Sequence, residues 1–169
     1  MSMLQITPFA CGLIAITVFI HAFGLAFILD VLARSNTSPT SGLGQISLLL
    51  IRTALLMIFI HLTEIAVWGA FYYWQGGMPD IESALYFSGV TYTTVGYGDL
   101  VLPPTWRLLG PIEGLVGILM CGLSAGMFFA LVSRIYLSYF NHNPKRLHSS
   151  KHPHITPSNH SELGPQDKQ

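Results

Sequence analysis

Residues Thr94-Val95-Gly96-Tyr97-Gly98-Asp99 set two glycines at alternate positions beside a hydroxyl, an aliphatic side chain, a phenol and an acid. The chemistry open to such a run lies in its backbone. L-residues in ordinary helix or strand conformations do not aim successive carbonyls at one line. Glycine reaches the left-handed region without steric cost, so Gly96 and Gly98 permit right- and left-handed residues to alternate. That alternation lets a row of carbonyl oxygens face a common axis. Such a row can replace the lost water of a dehydrated monovalent metal ion. A glycine-rich surface turn is the plainer reading of the same letters. The surroundings argue against it, because the string lies between two long apolar segments and follows an amphipathic stretch.

The elements that must hold this string are legible from composition. The chain has 169 residues, 51% of them apolar and 9% charged, a balance that points to a membrane protein. Eight basic and eight acidic residues give no net charge, and so no footprint for a nucleic-acid partner. Three segments reach the roughly 20 apolar residues needed to span a bilayer: about Pro8 to Leu32, about Ile46 to Trp74, and about Leu108 to Tyr139. The Ser-, Thr-, Gly- and Pro-rich stretch Ala33–Gly44 is a connector. Cys11 and Cys121 fall inside apolar segments and read as small buried hydrophobes without a disulfide or metal-ligand spacing. The tail from Asn141 to Gln169 is polar, and a mostly disordered segment is expected there. Its His142, His148, His152, His154 and His160 have irregular spacing and no supporting acid or cysteine cluster.

Between the second and third spans, Gln75–Arg107 is too polar and too short for another crossing. Asp80 through Thr93 has helical patterning. Pro79 precedes it, Asp80 and Glu82 fall where the helix dipole favours acids, and Ala84, Leu85, Phe87 and Val90 can share one side. The expected element is a re-entrant helix leading directly into Thr94. Irregular backbone at membrane depth is tolerated only inside protein or beside a water-filled path.

The string Thr94-Val95-Gly96-Tyr97-Gly98 resembles the selectivity filter of potassium channels. From about Gln45 to Tyr139 the chain is similar to the two-transmembrane, bacterial-type potassium-channel pore: outer helix, pore helix, filter, inner helix. The N-terminal span is an addition to that plan. The resemblance implies K+ sites formed by the carbonyls of Thr94, Val95, Gly96 and Tyr97 with the Thr94 hydroxyl, within a filter closed by Gly98. The Val95 and Tyr97 side chains would point away from the axis and pack on their surroundings. Thr93, Asp99, Tyr86 and Val90 would support the filter, with Asp99 at the outer mouth. Some family members carry an acid where Val90 stands, paired with the filter aspartate. That pair is absent here, and the spacing offers Tyr86 as the partner of Asp99 instead. One chain supplies one wall, so the resemblance implies a cyclic homotetramer.

Charge asymmetry sets the expected orientation. Arg34 and Arg52 flank the start of the second span, and Arg134, Lys145, Arg146 and Lys151 lie at or beyond the end of the third. Arg107 is the one basic residue in the filter loop. The positive-inside rule then puts that loop and the N-terminus outside and the C-terminus in the cytoplasm. A cleaved signal peptide is the alternative for the first span, but no Lys or Arg precedes it.

Ionisable residues inside spans need an account. Glu64 and His61 lie three apart on one face of the second span, and Glu113 sits near the outer end of the inner helix. Both acids read either as a proton-sensitive element or as hydrogen-bonded acids that hold the pore helix. Arg52 and Arg134 are expected to snorkel to headgroups. Trp68, Phe71, Tyr72, Tyr73 and Trp74 read as an outer aromatic belt, with Trp106 as its counterpart. The inner helix is glycine-rich, and Gly117 and Gly122 read equally as gating hinges or as small residues for close packing.

The expectation is an all-α membrane protein with three transmembrane helices plus a re-entrant pore helix and filter loop, assembled with four-fold symmetry. Residues 1–44 form the added helix and connector, 45–140 the pore domain, and 141–169 a cytoplasmic tail. It conducts K+ passively across the cell (inner or plasma) membrane. Its partners are K+, the lipid bilayer and its own copies, with no cofactor beyond the permeant ion. No arginine-studded voltage sensor, phosphate loop or nucleophile–base pair is visible, and no enzyme chemistry is implied. Two alternatives stay open: a poorly selective cation channel, and a non-conducting membrane subunit or sensor that needs a partner.

Overall fold

The computed structural model describes residues 3–34 and 43–141. The five tail histidines, most of the connector and the tail expected to be disordered lie outside them. The described residues form four helices, α1 (Met3–Arg34), α2 (Leu43–Trp74), α3 (Ile81–Tyr92) and α4 (Leu109–Asn141), with no strand among them. Ile6–Arg34, Gly44–Trp74 and Leu109–Leu137 are long and apolar enough to cross a membrane. In lipid each backbone N–H and C=O must be satisfied within its own segment, and the helix does this without a partner. The 32 residues of α2 extend about 48 Å at 1.5 Å per residue, so α2 exceeds a hydrocarbon core of about 30 Å and must tilt or protrude. The first span begins earlier than expected. Pro8 lies inside α1, near enough to its start that the missing N–H costs one intrahelical bond.

Glycine ends α2. Gly76 takes φ +66°, its N–H donates to the Tyr73 carbonyl at 3.0 Å, and the Gly77 N–H donates to the Tyr72 carbonyl at 2.8 Å. That pair of bonds is a Schellman stop. The short helix α3 starts at an extended Asp80, whose Oδ1 accepts from the Ser83 N–H at 2.8 Å and whose Oδ2 accepts from the Ser83 hydroxyl at 2.9 Å. The Ser83 backbone bond holds the Asp80 carboxyl below its usual range. The 12 residues of α3 span about 18 Å, too few to cross.

The buried stripe of α3 is Ala84, Ser88 and Tyr92, spaced by one helical turn each. The expected apolar side was different: Leu85 is exposed, and Phe87 and Val90 are half-buried. The polar members of the stripe are buried because each hydroxyl finds a protein partner, as described below.

Helix α1 packs antiparallel to α2 and is part of the core. Ile6, Ala10 and Leu13 cluster with Trp68, Tyr72, Leu102 and Trp106, while Ile28, near the other end, meets Met57 and Ile60. The start of α1 therefore lies at the same end of the molecule as the loop between α2 and α4. Two expectations change here. Trp68 and Tyr72 are fully buried and Trp106 nearly so, so these rings build the core where α1, α2 and the loop meet. Only Tyr73 and Trp74 of the presumed belt face outward as large exposed rings. Cys11 and Cys121 are exposed free thiols, not buried hydrophobes. Arg52 and Arg134 are exposed, as snorkelling requires.

Candidate functional site

The end of α3 passes directly into the segment 94–98. The Thr93 N–H donates to the Gly89 carbonyl at 3.1 Å, the Thr94 N–H to Thr91 at 2.9 Å, and the Val95 N–H to Val90 at 2.9 Å. These last two bonds form a second Schellman stop, with Thr94 at the left-handed position usually held by glycine. Thr94 has φ +61° and is the one non-glycine residue with positive φ among the described residues; Gly96 follows at +57° and Gly98 at +76°. Left-handed residues thus alternate with Val95 and Tyr97. A β-branched residue in this region carries a strain of about 1–2 kcal/mol. The Val90 carbonyl accepts a further bond from the Gly96 N–H at 3.2 Å, and the Thr93 hydroxyl donates to the Gly89 carbonyl at 2.7 Å. The turn is therefore tied to the last turn of α3, whose C-terminal dipole favours cations.

Val95 and Tyr97 are 52% and 72% exposed in the single chain, so much of each side chain is left uncovered by it. Behind the segment, Tyr86, Val90, Gly96, Gly98 and Asp99 border an open cleft of about 190 Å³. The Tyr86 hydroxyl donates to Asp99 Oδ2 at 2.8 Å, and the Leu100 N–H donates to Oδ1 at 3.1 Å.

The Tyr86 bond holds the Asp99 carboxyl below its usual range, and the same bond pushes the Tyr86 phenol up. A carboxyl with a depressed folded-state value adds stability above its unfolded value and loses it as pH falls through the folded value. Tyr86→Phe is therefore expected to raise the pH at which Asp99 takes up its proton. A carbon-13 titration of the Asp99 carboxyl in detergent checks this, and an unchanged midpoint contradicts it.

The buried acids meet α3 from both sides. Glu113 Oε2 accepts from the Tyr72 hydroxyl at 2.7 Å and Oε1 from the Ser88 hydroxyl at 2.5 Å, which joins α2, α3 and α4. Glu64 Oε1 accepts from His21 Nδ1 of α1 at 2.9 Å, and its Oε2 accepts from the Tyr92 hydroxyl. His61 Nδ1 lies 3.6 Å from Glu64 Oε2 and 2.9 Å from the Tyr92 oxygen. Ser124 Oγ of α4 stands 3.1 Å from His61 Nε2 and 3.4 Å from His21 Nε2. His21, His61 and Glu64 bring ligand-type atoms within 4.8 Å of one another, a donor set of the kind zinc accepts, but each already has a protein partner.

The two inner-helix glycines differ. A Cβ on Gly117 would lie 2.1 Å from the Tyr92 carbonyl oxygen, whereas nothing lies within 4 Å of one on Gly122. Gly117 is therefore a seat for the end of α3. His21, Ser88, Tyr92 and Ser124 were not singled out from the sequence, and Tyr72 was placed in the aromatic belt. His21 carried a usable signal, since an ionisable residue inside an apolar span needs a partner, and Ala84, Ser88 and Tyr92 share one helical face.

Three bilayer-length apolar helices and a short helix that ends in this alternating turn define a multi-pass membrane protein. Residues 46–134, just over half of the chain, match the ion channel family, and the chain belongs to it. The match runs from α2 through α3 into α4 and leaves α1 outside. No curated protein and no solved structure matches the chain.

Proposed function

We propose that the chain is a subunit of a potassium-selective channel, with carbonyls of Thr94, Val95, Gly96 and Tyr97 and the Thr94 hydroxyl as the ion sites. The observation that carries this reading is the alternation of positive-φ Thr94, Gly96 and Gly98 with Val95 and Tyr97, which lack positive φ, at the C-terminal end of α3. The strain at Thr94 has a use if its hydroxyl and carbonyl both serve an ion. Membership of the ion channel family supports passive ion movement. Tyr97 and Val95, exposed in one chain, would be covered by neighbouring copies in a homotetramer around the pore axis. In this reading residues 45–140 are the pore unit and 1–44 the added helix with its connector. The filter and N-terminus face outward across the cell membrane, and the C-terminus faces the cytoplasm. Gly122 is the hinge candidate, since no contact within the chain explains it.

Purified protein in liposomes tests this. The expected result is a K+ flux far above that of Na+ with no other protein present. Equal fluxes would make it a poorly selective cation channel, and no flux would make it a subunit that needs a partner.

A further inference from the structure

We propose that His21 of α1 is a positioning residue for the segment 94–98, acting through Glu64 and Tyr92. The inference rests on the filter reading above and gives a role to the helix that lies outside the family match. Glu64 is fully buried and His21 and Tyr92 are 1% exposed. The two carboxylate oxygens are divided between helices: Oε1 takes the His21 imidazole at 2.9 Å, and Oε2 takes the Tyr92 hydroxyl. The carboxylate is thus a bridge between α1 and the last residue of α3. Tyr92 is held at its other end too, because its carbonyl rests against Gly117. Two residues further on, Thr94 enters the left-handed conformation. A residue held at its side-chain hydroxyl and at its backbone carbonyl sets where that strained turn begins.

Removing the imidazole leaves a buried carboxylate with one donor fewer. In an apolar surrounding such a group turns to recover a partner, and the Tyr92 hydroxyl must follow it. A metal ion held by His21, His61 and Glu64 is the competing account. The hydrogen bonds favour the direct bridge, since His61 is already engaged by Tyr92 and Ser124. A useful control lies one turn away. The Thr17 hydroxyl of α1 accepts from Trp68 Nε1 at 2.9 Å and donates to the Leu13 carbonyl, so Thr17→Val loosens the same helix pair without removing a hydrogen bond of the bridge.

The experiment measures the K+ to Na+ flux ratio of the full chain in liposomes for wild type, His21→Leu, His21→Gln, Tyr92→Phe, the Leu/Phe double variant and Thr17→Val. His21→Leu and Tyr92→Phe are each expected to lower the ratio by about three- to tenfold. That range corresponds to roughly 0.7–1.4 kcal/mol. The double variant is expected to fall no further than either single one. His21→Gln, which keeps an N–H donor, recovers most of the ratio, and Thr17→Val leaves it unchanged. If His21→Leu does not assemble, His21→Gln, Tyr92→Phe and Thr17→Val still decide. A wild-type ratio retained in Tyr92→Phe, or a Thr17→Val loss as large as that of His21→Leu, overturns the inference. So does a wild-type flux that chelation with EDTA abolishes and Zn2+ restores, which would assign the cluster to a metal. A wild-type protein without K+ selectivity overturns the filter reading and this inference together, while a selective wild type with unresponsive variants overturns this one alone.

Discussion

Gly117→Ala is expected to cut ion flux by about tenfold or more and to lower the melting temperature of the detergent-solubilised protein. The added methyl would sit 2.1 Å from the Tyr92 carbonyl oxygen, 2.9 Å from its carbon and 3.1 Å from its Cα. All three are backbone atoms, so no side-chain rotation relieves the contact. Either α4 moves away or the end of α3 does, and overpacking of this kind costs about 1–3 kcal/mol. The second course displaces Thr93 and Thr94 with Tyr92. Gly122→Ala is the matched comparison, because its methyl enters open space and alanine is the better helix former by about 1 kcal/mol. A Gly117→Ala protein with wild-type flux and melting temperature would show that this seat does not govern the turn. A gating change in Gly122→Ala, by contrast, could not be blamed on packing within the chain and would speak for a hinge or for a contact between copies.

Gly96→Ala is expected to abolish selective K+ flux while leaving the protein folded. Gly96 sits at φ +57° and Gly98 at +76°, and a Cβ on either would meet nothing within 4 Å. Within one chain the cost is therefore conformational, about 1–2 kcal/mol, and it multiplies across the copies of a ring. The cheapest relief is to rotate the peptide toward negative φ, which turns a carbonyl off the axis. Circular dichroism of the variant should match wild type, since 94–98 belongs to no helix. Flux ratios in liposomes provide the decisive comparison, and a Gly96→Ala channel with wild-type K+ selectivity would refute the ion-site assignment. Gly98→Ala should behave alike.

The parts of this protein that announce themselves in the sequence are those governed by local rules. Span length is set by bilayer thickness, so α2 and α4 begin and end within a few residues of the expected positions. The start of α3 follows from Pro79 and the acids Asp80 and Glu82, although Asp80 proves to be the cap and not part of the first turn. The Tyr86–Asp99 bond was accessible from spacing along one helix and turn. What escaped depends on which helices touch. Nothing local tells that Trp68 and Tyr72 face α1 rather than a headgroup layer, or that Ser88 and Tyr92 turn inward past Leu85. The His21 bridge joins residues 43 apart in sequence, and its existence depends on the angle at which α1 lies along α2. Thr94 escaped for a different reason: a β-branched residue in the left-handed region contradicts its own preference, and only the surrounding bonds hold it there.

In the proposed channel, Asp99 has one consequence for how ions would arrive. Its carboxylate is tethered by a neutral phenol and not shared with a second acid, so it keeps a whole negative charge at neutral pH. Placed where the chain emerges from the turn, that charge enriches the nearby solution in cations, and in the proposed channel it would speed their capture at low concentration. The enrichment reaches about 10 Å at 0.1 M salt and shrinks to about 3 Å at 1 M, so dilute solutions are where this side chain matters most.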